Sequence, residues 1–590
     1  MILVFGGTTE GRQAVQVLDD AGATYYYSTR GRAQDISCVH GSRIYGALES
    51  SDMETFCKEH GIRLLVDAAH PFAVNVHRNV MQTARKLKIP AIRYERKYPP
   101  RDKDLVWCKD YDDAVRQLNE HGINRLLALT GVQTISKLKP YWNAPAVDCH
   151  FRILNRDDSQ QMALSQGFDT RHLVYYQADN TAKLIARIRP QAIITKESGD
   201  SGGFDEKITA ARHAHIKVFV VCRPPLPEDF VCVNGPHGLR RKIEQLLPEF
   251  YPLKTGITTG TCATAAAKAA VTSLLENRVP PFVWVRIPNG EDIDIEVHAA
   301  HDGRASVVKF AGDDPDVTDG LEICATVKLK ETPDIRILGG EGVGVVTLPG
   351  LGLEMGAPAI NAVPQKMIRE NIEPLLNGKG AEVVISVPDG KEVGARTFNP
   401  RIGVVNGISI VGTSGIVRPF SADAWISSIR KEMSVGIAMG KGRIVINSGA
   451  KSEKYLRARY PELPEQAFIH YGNFIGETIA IAAELGVKDL MMGLMIGKAV
   501  KLAEGNLDTH SHKVTMNRAF VRQMAEEAGI CQESLQAIGQ INMARELWTT
   551  LSPGDMQSLA KVIIRHCHEH CDSLLPNGNL NILLIPDNLT

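Results

Sequence analysis

The sequence carries no surplus of charge: 67 Lys and Arg stand against 67 Asp and Glu. A chain without a global field has no electrostatic pull toward nucleic acid or an acidic membrane surface, so neither is expected as a partner. Nowhere is there a run of about 18 apolar residues, the length a spanning helix needs. Met1 leads straight into ILVF, without the basic stretch and apolar core of a signal peptide, and the expectation is a cytoplasmic protein. The 11 cysteines are odd in number and scattered, which suits reduced thiols rather than a disulfide framework. Low-complexity stretches and short-period repeats are absent too. What remains is an ordinary globular composition over 590 residues, 44% hydrophobic and 23% charged, enough for about four domains of about 150 residues each.

The first half opens as a β-α-β unit of dinucleotide-binding type. MILVFGG is an apolar strand ending in glycines. Ala14, Val17, Leu18 and Ala21 then share a helix face that Gly22 stops, and TYYYS is the next strand. The loop Gly6, Gly7, Thr8, Thr9, Glu10, Gly11, Arg12 departs from G-x-G-x-x-G but offers the same backbone approach to a phosphate. After the second strand, where NAD sites place an acid, stand Ser28, Thr29, Arg30, Gly31 and Arg32. Hydroxyls and guanidiniums there suit a 2′-phosphate and favour NADPH; a solvated basic turn is the plainer reading. A third strand ends at Asp67, with His70 just beyond, in the position where open α/β sheets bind ligands. His70 fits a general acid or base by its ordinary pKa, or a structural loop histidine. Arg93, Arg96, Lys97 and Arg101 alternate with Tyr94 and Tyr98, a pattern for carboxylates and a flat ring or for a charged surface loop. A second set of strands from Arg125 predicts another α/β lobe, in which Lys196, Ser198 and Gly199 form a second polar strand-to-helix loop.

The second half starts at KTGITTGTCATAAAKAA, a Gly and Thr loop feeding an Ala-rich helix from Lys254. Thr259 or Thr261 is the expected N-cap, and Thr259, Gly260 and Thr261 could present free amides to an anion; a capped buried helix is the alternative. Period-two strands follow, then AGDDPDVTDG, whose acids lack calcium spacing and read as turn caps. From Arg401 the pattern predicts α/β structure, with Gly412, Thr413, Ser414 and Gly415 as the candidate loop for a nucleotide-like ligand. His510 is a candidate catalytic group. His510-x-His512 has no further ligand nearby, and neither it nor the tail HCHEHC, His566 to Cys571, makes a metal site by spacing. No metal is expected.

GGTTEGR, DAAHPFA, the LTG strand end, TKESG and CRPP, in that order, resemble the cobalt-precorrin-6A reductase family. TGITTGTCATAAAKAA, AGDDPDVT, GGEGVGVVTLPGLG, GTSGIV and GKAVKLAEGNLDTHS resemble the cobalt-precorrin-5B C(1)-methyltransferase family. The resemblance implies a fusion of two consecutive steps in anaerobic corrin synthesis, on a cobalt-corrin tetrapyrrole substrate. Its implied cofactors are NADPH or NADH and S-adenosyl-L-methionine, with Asp67 and His70 assisting the proton side of reduction. The expected architecture is α/β: Rossmann-like lobes at 1–124 and 125–250, an α+β lobe at 254–400 and an α/β lobe at 401–590. A non-catalytic sensor that binds nucleotide and tetrapyrrole is the alternative, and a homo-oligomer stays open.

Overall fold

Apolar runs of four or five residues alternate with amphipathic helices through the first half, and in this computed structural model they form two parallel sheets. The structure describes every residue except 33, 177–179, 441, 512 and 588–590. The chain divides into two units, Met1–Lys254 with Gly290–Ile293, and Thr255–Asn289 with Asp294–Thr590.

In the first unit, β1 (Ile2–Phe5), β2 (Tyr25–Thr29), β3 (Gly41–Tyr45), β4 (Leu64–Asp67) and β5 (Ala91–Tyr94) build one sheet. The second sheet holds β6 (Val106–Cys108), β7 (Arg125–Ala128), β8 (Asp148–Ile153), β9 (Leu173–Tyr175), β10 (Ala192–Lys196) and β11 (Lys217–Val221). β12 (Val231–Val233) returns to the edge of the first, beside β5. The orders are β12-β5-β4-β1-β2-β3 and β6-β11-β10-β7-β8-β9. β1 and β4 are buried at every position, as a parallel sheet covered on both faces requires. Strand order reverses between β1 and β4, and again between β7 and β10, so each lobe has one switch point at which ligands gather. The expected division at 124/125 moves: β6 already pairs with β11, while β12 and the helix Gly235–Leu246 rejoin the first lobe.

The second unit contains β13 (Gly256–Ile257), β14 (Phe282–Arg286), β15 (Asp292–Glu296) from Asp294 on, β16 (Ala299–His301), β17 (Arg304–Val308), β18 (Glu322–Lys330), β19 (Ile335–Gly339), β20 (Val345–Val346), β21 (Gly380–Ser386), β22 (Val404–Val405) and β23 (Ile416–Val417). The main sheet runs β16-β17-β18-β21-β19, antiparallel except where β19 joins β21. The Ala-rich helix Thr259–Glu276 packs across β17 and β18. It is buried on nearly all sides, because alanine lets neighbours approach from every direction. Its N-cap is Thr258 rather than Thr259 or Thr261: Thr258 Oγ1 accepts from the Thr261 amide at 3.2 Å. In AGDDPDVTDG the acids serve as caps: Asp316 takes the buried Lys309 ammonium at 2.8 Å and Asp319 accepts from the Ala311 amide.

β24 (Arg443–Asn447), β25 (Phe468–His470), β26 (Asp489–Met495) and β27 (Asn579–Ile585) form a parallel sheet in the order β25-β24-β26-β27. This α/β lobe starts with the helix Ala422–Ala438 and not at 401, because β22 pairs with β20 and β23 with β13. Among the described residues no helix is long and apolar enough to cross a membrane. Replacing the cap by Thr258→Ala should lower stability by about 1–2 kcal/mol. The denaturant midpoint of the full chain measures this, and an unmoved midpoint would show that the cap contributes nothing.

Candidate active sites

The switch point of the first lobe lies between the glycine loop after β1 and the turn after β4. Thr8 joins the two: its hydroxyl caps the helix Thr9–Asp19 by accepting from Gly11 N at 3.0 Å and donates to Ala68 O at 2.7 Å. Gly6 leaves no room for a side chain, since a Cβ would fall 2.1 Å from Tyr27 Oη. That hydroxyl accepts from the Gly7 amide and donates to Gln34, whose amide returns to Thr8 O. Gly7, Thr9 and Arg12 are exposed and Gly11 is buried. At the end of β2, Ser28 is buried with its carbonyl on the Gly6 amide, while Arg30, Gly31 and Arg32 are exposed. The Arg32 guanidinium lies 5.1 Å from the centre of the Tyr45 ring.

Three sequence expectations change here. Asp67 is fully buried. Its carboxylate is taken by His77 Nδ1 at 2.5 Å, Arg93 Nη1 at 2.9 Å and the Ala69 amide at 3.0 Å. Burial alone would raise its pKa, but the His77 and Arg93 partners hold the carboxyl below the usual range. Asp67 therefore cannot touch a substrate and positions the loop that carries His70. Glu10, expected to meet the cofactor, is buried against Arg96 Nη2 at 2.9 Å. Arg93, Arg96 and Arg101, expected to meet substrate carboxylates, are engaged by Asp67, Glu10 and Glu197. Sequence reasoning missed His77; its signal was helical placement beside the β4 end, in DAAHPFAVNVH.

Arg96 also reaches the second lobe, donating from Nη1 to Ser198 O at 2.9 Å. The loop after β10 thus sits against the 96–98 segment; Gly199 has φ +67 and a Cβ there would fall 2.6 Å from Lys97 O. Lys196, Phe72 and His70 form a row across the two lobes, with Lys196 Nζ 5.3 Å from the Phe72 ring centre and the Phe72 and His70 rings 5.9 Å apart. Burial, then Lys137 and Lys207, lower the Lys196 ammonium to about 8. Burial, then Arg96, Lys196 and Arg93, push the His70 imidazole down to about 3. His70 Nδ1 accepts from the Phe72 amide at 3.2 Å, so the neutral ring carries its proton on Nε2. As it stands, His70 is a hydrogen-bond donor and a poor base; Lys196 is the group poised to exchange a proton near neutrality.

In the second unit the two candidate loops come together, 150 residues apart in sequence. Gly260 N donates to Val411 O at 2.9 Å, Thr259 Oγ1 to Ser409 O at 3.2 Å, and Thr261 Oγ1 to Gly415 O at 2.7 Å. The Gly260 amide and the Thr259 and Thr261 hydroxyls at the helix start are thus taken by protein carbonyls. Gly412 has φ +143, and a Cβ would strike Thr258 Oγ1 at 2.2 Å, so this glycine serves the packing of that junction. Thr413 and Ser414 are the exposed tip of the loop.

The switch point of the α/β lobe lies between β24 and β26, and the sequence reading missed it. Strand RIVIN runs into Ser448-Gly449 before a helix, the local signal that was there to find. Lys498, just after β26, donates to Gly472 O, to Asn473 Oδ1 at 2.6 Å and to Thr509 Oγ1 at 3.4 Å. Burial, then Lys501, lower it to about 8. Asp508 bridges to Phe474, which brings the segment carrying His510 to this edge; the His510 amide donates to Asp508 Oδ1 at 3.1 Å. His512 lies outside the described residues. Beside the edge, Arg401, Ala450, Glu453, Lys454, Arg457 and His470 line a cavity of about 410 Å³. Glu453 binds His470 Nε2 and Arg401 Nη1 there, and these partners outweigh burial to lower its pKa. The tail motif is spent elsewhere: Cys567 and Cys571 are core residues, His566 meets Glu527 and Glu569, and His568 meets Asp572.

His70 gives a test with a definite sign. A free imidazole titrates near about 6.5, so the stability gained by keeping this ring neutral is whole above that pH and drains away as pH falls toward about 3. The ring Cε1 resonance of His70 should stay flat between pH 7 and pH 5, set against a His70→Gln control for assignment. Titration near the ordinary value would refute the buried, cation-flanked site.

Comparison with known proteins assigns both halves. Residues 1–241 match the family model described as precorrin-6x reductase CbiJ/CobK. Residues 248–419 match CbiD, and 508–587 match the CbiD C-terminal domain. A cobalt-precorrin-5B C(1)-methyltransferase of Prosthecochloris aestuarii is 41% identical over 345 residues, 56% of this chain and 94% of that protein. One from Geobacillus sp. strain WCH70 is 38% identical over 323 residues, 53% of this chain and 88% of that protein. Among solved structures, the cobalamin biosynthesis protein CbiD of Archaeoglobus fulgidus is 33% identical, with a TM-score of 0.26, over 44% of this chain and 83% of that one. CobK precorrin-6A reductase is 19% identical, with a TM-score of 0.35, over 42% of this chain and 96% of that one. Through its second half the chain belongs to the cobalt-precorrin-5B C(1)-methyltransferase family, and it carries a precorrin-6x reductase region ahead of it.

Proposed function

We propose that the second unit methylates C-1 of cobalt-precorrin-5B to give cobalt-precorrin-6A, and that the first unit reduces that product to cobalt-precorrin-6B. One observation carries the reading: the passage between units at Lys254–Thr255 comes shortly after the reductase match ends, at 241, and the CbiD match begins, at 248.

A nicotinamide nucleotide, when bound, supplies the hydride for such a reduction. The first switch point fits one. In the loop Gly6 to Arg12 the Gly7, Thr9 and Arg12 positions are exposed, and no carboxylate stands among Ser28 to Arg32. The exposed Arg30 and Arg32 favour NADPH over NADH. In this reading His70 Nε2–H donates to the corrin, and Lys196 holds the proton delivered to the carbon beside the one that takes hydride. Ser198 and Gly199 shape the wall beside Lys196.

S-adenosyl-L-methionine supplies an already activated methyl, so the protein's task is alignment and exclusion of water. We assign the donor to the β24/β26 edge, where buried Asn447 holds the Ser448–Gly449 turn in place, with Lys498 beside it and His510 at the rim. Support comes from the switch-point position and from the consumed amides of Gly260 and Thr261. Thr413 and Ser414 remain available as an accessory contact. Arg401, Lys454 and Arg457 around the 410 Å³ cavity suit carboxylates of an acidic macrocycle.

The full chain, given cobalt-precorrin-5B, S-adenosyl-L-methionine and NADPH, should yield a product heavier by one methyl and then by two hydrogens. A product that never gains the hydrogens would sink the reductase assignment. Lys196→Met should cut the reduction step about 100-fold or more while methylation holds; an unaltered reduction rate would remove Lys196 from the chemistry. Lys498→Met should weaken methylation while reduction of supplied cobalt-precorrin-6A holds, and loss of that reduction too would point to misfolding rather than to either site.

A further inference from the structure

We propose that Asp148, His150 and His172 form a binding site for one divalent transition-metal ion of borderline softness, with zinc(II) as the best fit, in the second lobe of the first unit. Asp148 and His150 stand two apart on β8, so the strand turns both side chains to one face. His172 comes from the short turn Thr170–His172 that leads into β9, the neighbour of β8. Asp148 is the first residue of β8, so the cluster lies at the amino end of the strand, away from the carboxyl-edge crevice that holds Lys196. The reduction chemistry has no use for it.

Spacing is the first argument. Asp148 Oδ1 lies 2.9 Å from His150 Nε2 and 3.3 Å from His172 Nδ1, and the three ligand atoms are all within 4.8 Å of one another. Two ligands held about 2.1 Å from one ion stand about 3.0 Å apart at a right angle and about 3.4 Å apart at the tetrahedral angle. Both carboxylate–imidazole pairs already have that spread, and the two imidazole nitrogens lie within 4.8 Å of each other, so closing on an ion asks at most a small turn of one ring. The second argument is satisfaction. His172 Nδ1 is a buried atom without a hydrogen bond, and buried Asp148 Oδ1 meets only the two imidazoles of the cluster; buried polar atoms left so are rare in folded proteins without a reason. A cation between them would satisfy both. The third is outer support. Arg125 Nε donates to the other carboxylate oxygen, Asp148 Oδ2, at 3.1 Å, which turns Oδ1 toward the imidazoles in the manner of an outer-shell partner.

Two imidazoles and one carboxylate select zinc or its neighbours over calcium or magnesium, which want oxygen. Three protein ligands also leave at least one position open for water. The sequence hides the site because D-x-H and a histidine 22 positions later match no ligand spacing.

The test uses the full chain, stripped with chelator and titrated with zinc chloride by calorimetry, with cobalt(II) absorption as a second reading. One equivalent of zinc should bind, and a visible band of four- or five-coordinate cobalt(II) should appear. H172A and H150Q should each lose both, at unchanged circular dichroism, and D148N should lose most of the affinity. A control with H566A and H568A in the tail should keep the equivalent. Absence of saturable zinc, retention of it by H172A and H150Q, or its loss in the tail control would overturn the assignment.

Discussion

A single buried guanidinium holds the reductase region in register. Arg96 is almost fully enclosed, pairs with Glu10 at the start of the first helix, and donates to the Ser198 carbonyl in the other lobe. A charge in that setting must be paired, and removing one partner of a buried pair costs about 3–5 kcal/mol. The glycine loop and the loop after β10 are therefore fixed to the same cation. Asp67, with His77 and Arg93, repeats the device one strand away. Between these two buried networks the fold sets His70 and Lys196 on either side of Phe72, and burial, then the cations around it, hold the His70 imidazole well below its usual range.

The second unit solves the opposite problem. Its Ala-rich helix lies inside the lobe rather than on it, and a helix start enclosed by protein must find its own acceptors. The chain from Ser409 to Gly415 supplies them, which ties that lobe's first and last segments together. In the following α/β lobe Lys498, just after β26, and the segment carrying Asp508 both reach the turn around Asn473 and Phe474. The cluster of Arg401 with Glu453 and His470 bonds residues from both lobes of this unit.

Local sequence determined a good deal. Four-residue apolar strands ending in Gly or Asp, with helices between, specify parallel sheets buried on both faces, and the glycine loop after β1 marked the first switch point. The Asx turns of 313–319 were legible because such bonds span two to four residues, whereas the cap expected at Thr259 or Thr261 falls to Thr258. Ordered motifs carried the resemblance to both families. What tertiary structure alone decided was which polar group faces inward. Asp67 and Glu10 look like ligand contacts in one dimension, but each is matched by an arginine 26 or more positions away and so is buried. Strands β6, β12, β22 and β23 cross the boundaries that composition suggests. Backbone pairing at a distance, like the approach of His172 to Asp148, depends on register between segments, and a side chain's own neighbours in the sequence hold no record of it.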